Sequence, residues 1–197
     1  MGSRWQRQAW TVGIGAGVLA LAILGLRAAG VFEPPAANVD LNTSANVVAP
    51  GEVIGTKVAS QGSAHLLTGQ KASYNSEPPT SGEHWNQSGV APAPWGIKDS
   101  MLPREVTTHN LEHGGIVIGY SRSLAPDEVT KLKSLVRGLG GTGFQKIILE
   151  PYPLADAKIA VTAWIWILKL PEYDETQIVK FVKAHYQSPD APEPNGF

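Results

Sequence analysis

Residues 115–141 read GIVIGYSRSLAPDEVTKLKSLVRGLGG. Ile116 to Tyr120 is a short β-branched run after two glycines, the mark of a strand. Pro126 then opens a helix with Asp127 and Glu128 in its first turn. Lys131, Lys133 and Arg137 follow, the charge order that a helix dipole favours. Val129, Leu132, Leu135, Val136 and Leu139 form its buried stripe, and the glycines at 138, 140 and 141 are expected to end it. A strand feeding an amphipathic helix predicts a domain of helices packed on a sheet.

Working outward, Phe144 to Leu149 reads as a second strand. Ile159 to Leu168 (IAVTAWIWIL) is nearly all apolar, which predicts one strand covered on both faces in mid-sheet. Asp174 is placed to cap a last helix, with Gln177 as its capping-box partner. Ile178, Val179, Phe181, Val182 and Tyr186 make that helix's core face. His185, near its end, is expected at the surface, where the dipole suits it. The fold expected is one small α+β domain, residues 62–188, with a mostly antiparallel sheet and two packed helices. Residues 189–197 form a proline-rich tail.

Upstream lies the chemistry. Four of the five histidines are His65, His84, His109 and His113. His84 falls in YNSEPPTSGEHW (74–85), and His109 and His113 fall in MLPREVTTHNLEHGGIVIGY (101–120). Imidazole is the commonest metal-ligating side chain, and two at i, i+4 share one helix face. His84, His109 and His113 are therefore the expected ligands, with Met101 or His65 completing the shell. A thioether among imidazoles favours copper over zinc, and zinc is the alternative metal. The competing reading is that these histidines only brace the loop by hydrogen bonds.

His109-Asn110-Leu111-Glu112-His113 also matches the H-x-x-E-H pattern of inverted zinc peptidases, with Glu112 as base. That reading needs a helix, yet Gly114-Gly115 follows at once, so a helix of one turn or less is expected here. Glu112 otherwise pairs with Arg104 or receives a histidine N–H. Ser81 lacks the G-x-S-x-G elbow of a serine hydrolase. Trp85, Trp95, Trp164 and Trp166 read as packing residues. No residue is assigned a catalytic role.

The N-terminus is of another kind. Arg4 and Arg7 precede an uncharged run from Gln8 to Leu26, long enough to approach a membrane span. Trp5 and Trp10 suit its interface. Residues 1–29 are expected to be a retained single-pass anchor, or else a signal peptide, with the amino terminus cytoplasmic and the domain in the periplasm or outside the cell. Residues 30–61, rich in proline and asparagine, read as a linker, with a possible edge strand in Val48 to Val58. Three of the 16 basic residues (Arg4, Arg7, Arg27) and none of the 17 acidic ones lie in the first 27 positions. The remainder carries 13 against 17, a balance of −4 that argues against a nucleic-acid partner. There is no cysteine, which excludes disulfides, thiol catalysis and thiolate metal sites.

The PPTSG-x-H and HNLEHG motifs, with IAVTAWIWIL and the helix holding Phe181, resemble the "domain of unknown function 3105" family over about Gly62 to Tyr186. The resemblance implies a bacterial single-pass or secreted protein with histidines at the positions of His65, His84, His109 and His113. It implies no particular activity. The expectation is a membrane-anchored metal-binding protein, handling copper first and zinc second. One alternative is an accessory subunit of a larger membrane complex whose histidines are structural and bind no metal, and a zinc hydrolase using Glu112 is the other.

Overall fold

The computed structural model describes residues 33–196. The anchor expected over residues 1–29 lies outside the described residues. Among the described residues, no helix is long and apolar enough to cross a membrane.

From Ala36 onward the chain builds a six-stranded sheet. The strands are β1 (Thr56–Lys57), β4 (Gly96–Ile97), β5 (Ile116–Tyr120), β6 (Ile147–Pro151), β7 (Ile159–Ala163) and β8 (Trp166–Leu170). Their order is β1-β8-β7-β5-β6-β4. The β1/β8, β8/β7 and β7/β5 pairs are antiparallel, whereas β5/β6 and β6/β4 are parallel. The sheet is thus mixed. The parallel β5/β6 pair is the natural product of the strand–helix–strand stretch, because parallel neighbours need a crossover. A separate two-stranded parallel pair joins β2 (His65–Leu66) to β3 (His84–Trp85), with His65 opposite His84.

Three helices pack on this frame, one more than expected: α1 (Arg104–Glu112), α2 (Pro126–Gly141) and α3 (Glu175–His185). Asp174 caps α3 by accepting the Gln177 N–H at 3.0 Å. In α2 the glycines do not end the helix at 138. Gly138 serves close approach instead: a Cβ there would lie 2.4 Å from the Ala37 carbonyl oxygen.

Side chains alternate across a strand, and the two faces feed two cores. Ile116, Ile118, Ile147 and Leu149 join Leu132, Leu135, Leu139, Ile178 and Phe181 beneath α2 and α3. Val117 and Ile148 point the other way, to Val106 and Leu111 of α1 and to Trp85 and Trp164. Both faces are covered, which explains the unbroken apolar strands.

Three expectations need correction. Ile159 to Leu168 is not one strand but a hairpin, since Ala163 pairs with Trp166 across a two-residue turn, Trp164-Ile165. Ile165 has φ +58°, a conformation a β-branched residue adopts only when its surroundings impose it. Here its N–H donates to Thr80 O and its carbonyl accepts the Val58 N–H, both at 2.8 Å. His185 is buried, not on the surface: its Nε2 donates to Ile54 O at 2.8 Å and its ring stacks on Trp166. Much of the stretch expected as a linker is laid on the domain. Val39 and Ile54 enter the main core, Lys183 donates to Leu41 O and Asn46 O, and Thr56–Lys57 is an edge strand.

Candidate metal centre

The sheet face covered by α1 carries the histidines. Helix α1 reads REVTTHNLE, poor in strong helix formers, yet all but its first residue are buried. Tertiary burial holds it rather than propensity. His109 and Glu112 lie near its end and His113 is its C-cap, so the helix is nine residues, not the single turn expected. At spacings of three and four, His109, Glu112 and His113 share one face. The intervening residues hold that face in place. Asn110 clamps Ala93 through both its amide atoms (3.0 and 2.9 Å), and Leu111 fills the second core.

The GEHW segment approaches from β3. His84 is fully buried; its Nδ1 donates to Gly82 O at 2.9 Å, and its Nε2 lies 2.9 Å from Glu112 Oε2. His109 Nδ1 donates to Trp85 O at 2.5 Å, and its Nε2 lies 3.1 Å from His113 Nε2 and 4.0 Å from Glu112 Oε2. His65 Nε2 stands 3.5 Å from the same carboxylate oxygen and is the most exposed of the four, with a side chain 44% accessible. Two backbone carbonyls therefore commit Nδ1 of both His84 and His109, which leaves each Nε2 lone pair aimed inward. Metal-ligating histidines are held by such hydrogen bonds.

Electrostatics point the same way. Burial pushes the His109 imidazole below its ordinary 6.5, the Trp85 carbonyl opposing, with His84 and His113 adding to the fall. Burial also works against ionising Glu112. The His84 hydrogen bond and the surrounding imidazoles outweigh it and hold the carboxyl below 4.5. A neutral His109 and an ionised Glu112 are the forms that bind metal.

Of the expected ligands, His84, His109, His113 and His65 are brought together. Met101 is not. It is partly exposed and lines a cleft of about 340 Å³ with Arg122 and Tyr152. The position assigned to it falls to Glu112. Arg104 is not its partner but pairs with Glu77 at 2.7 Å, and Tyr152 donates to the same Glu77 carboxylate. Sequence reasoning also missed the tail. Its Glu193 N–H donates to Glu112 O at 3.0 Å, and its carboxylate lies 3.4 Å from His113 Nε2. Lys146 holds the strap by donating to the carbonyls of His113, Pro194 and Gly196.

Ligands 2.0–2.1 Å from zinc lie about 3.3 Å from one another. The separations are 2.9 and 3.5 Å within the His65–His84–Glu112 group and 3.1 and 4.0 Å within the His109–Glu112–His113 group, so each group of three matches part of such a shell. The residues fit.

The fold and site define a small α+β domain with a buried histidine–glutamate cluster able to hold a metal ion. The family profile described as "Protein of unknown function (DUF3105)" matches residues 65–196, and the chain belongs to that family. No curated protein matches the chain, and no solved structure does.

Proposed function

We propose that this domain binds a first-row transition-metal cation through the histidine Nε2 atoms and Glu112, as a metal-binding or metal-handling protein. One observation carries the reading. His84 Nδ1 is a donor to Gly82 O, so in the neutral ring Nε2 is a bare lone pair, 2.9 Å from an oxygen of an ionised carboxylate. Two buried acceptors at that distance repel unless a positive charge lies between them, either a proton on Nε2, which makes the hydrogen bond to Glu112, or a metal ion. A metal ion supplies that charge, coordinated by both. The donors are imidazole and carboxylate, which suit Zn(II) and Cu(II). The soft-ligand argument for Cu(I) does not carry over without Met101. The apolar run at residues 8–26 supports a site held at the outer face of a membrane, alone or beside a larger membrane complex.

The test is titration of the purified, metal-free 197-residue chain in mild detergent with Zn(II), Cu(II) and Cu(I). Stoichiometric binding that is lost in a folded His84→Ala/His109→Ala variant is the expected result. A folded wild type that binds none of the three refutes the reading and leaves the histidines as braces of an accessory domain.

A further inference from the structure

Resting on the metal-binding reading, we propose that the cluster holds two ions, with Glu112 as the ligand they share. The potential donors divide into two groups, within each of which all atoms lie within 4.8 Å of one another. One is His65, His84 and Glu112; the other is His109, Glu112 and His113. Glu112 alone belongs to both. A four-coordinate ion needs four ligands, and the five residues here exceed that while falling into two sets that share one carboxylate. A carboxylate that serves two ions is the usual economy of two-metal centres, whose ions lie about 3.5–4 Å apart.

The halves differ in access. The His109/His113 half lies under the tail, where a Glu193 carboxylate oxygen is 3.4 Å from His113 Nε2 and a Cβ at Gly196 would meet His113 Nδ1 at 2.8 Å. The His65/His84 half reaches solvent at His65. The covered half has three protein donors packed beneath the tail, with the exposed Glu193 side chain at hand beside His113 alone. The exposed half, with three protein donors, keeps a place for water or a small anion, the arrangement that separates reactive metal positions from structural ones.

Native mass spectrometry and elemental analysis of the 197-residue chain loaded with Zn(II) decide the matter. Two zinc ions per wild-type chain are expected, with one lost in His65→Ala and one in His113→Ala. Loading with Cu(II) provides an independent measure. Coupling between neighbouring ions diminishes the wild-type paramagnetic signal, and each single variant restores the signal of an isolated ion. One ion per wild-type chain, with an uncoupled Cu(II) signal, overturns the two-ion proposal and leaves metal binding standing. No bound ion overturns both. The wild-type count decides even where a variant does not fold.

Discussion

Glu150 offers a sharp test of the electrostatics beneath the site. It lies on β6, fully buried, and its Oε2 accepts the Leu102 N–H at 2.7 Å. Its Oε1 is buried without a hydrogen-bond partner among the described residues. That contact fixes the chain immediately before α1, the helix that carries His109 and Glu112. Burial lifts the carboxyl from 4.5 to about 7, with the Leu102 N–H and Lys98 only partly opposing it. A raised folded-state pKa means that the native protein holds a proton that the unfolded chain has released. The stabilisation is complete below pH 4.5 and is lost as pH rises through 7. The full shift is worth about 3 kcal/mol, and the part falling between pH 5 and pH 8 about 2–3 kcal/mol. Glu150→Gln keeps the shape and an acceptor for Leu102 but cannot ionise. Melting followed by circular dichroism should show the variant close to wild type at pH 5. At pH 8 it should be more stable by roughly 5–10 °C, from the usual scaling for a domain of this size. A wild-type-to-variant difference that does not change with pH would refute the assignment.

Other perturbations probe separate contacts. His185 is pushed below its ordinary 6.5 by burial, so its share of stability is present above pH 6.5 and is lost as the medium turns acid. In pH-dependent melts, His185→Gln should lose stability less steeply than wild type below pH 6.5; equal slopes would show that His185 does not set the acid limb. Gly114 has φ +73°, and a Cβ there would lie 2.6 Å from Pro194 O. Gly114→Ala should cost about 1–3 kcal/mol and expose the tail beyond Gln187 to limited proteolysis, whereas an intact, protected tail would contradict the packing. Zn(II) at a hundredfold excess over its dissociation constant should stabilise the native chain by about 2.7 kcal/mol. That gain should shrink as pH falls, because protons compete for His109 and Glu112. A gain independent of pH would place the ion elsewhere.

Much of the frame was legible because periodicity carried it. The stripe of α2, the Asp174 cap and the β-branched run at 116–120 each appear where pattern and propensity agree. The failures share a cause. The hairpin within 159–170 turns at Trp164-Ile165, with neither glycine nor asparagine to mark it, and contacts from Thr80 and Val58 impose the turn. Helix α1 has weak local propensity and is buried on every side, so it shows no amphipathic face. His185 reads as a helix-end surface residue until Ile54 is laid over it. In the site, four histidines were visible as a set, but Glu112 was read as a base, a partner of Arg104 or the acceptor of a histidine N–H, and only the last matches its contact with His84. Its place three residues after His109, beside His113 at four, would have put it on that face had the helix been foreseen. Glu193 had no signal at all, since a proline-rich tail does not show where it folds back.

The two motifs form one device. The GEHW segment supplies His84 as a donor, and also the Gly82 and Trp85 carbonyls that orient His84 and His109. The HNLEHG segment supplies His109, Glu112 and His113 and, through Asn110, the clamp on residue 93, while His65 comes from β2. Neither can set the geometry of the cluster without the other, so the site exists only in the folded domain. Two imidazoles whose Nδ1 atoms are committed to carbonyls, gathered with two more around one carboxylate, are unfavourable by themselves. The adjoining apolar core is built by Val106, Leu111 and Trp164. A fold that keeps such an arrangement against its own stability does so at a functional position. Replacing Glu112 with leucine should therefore leave the fold intact, or even stabilise it, while it abolishes metal uptake.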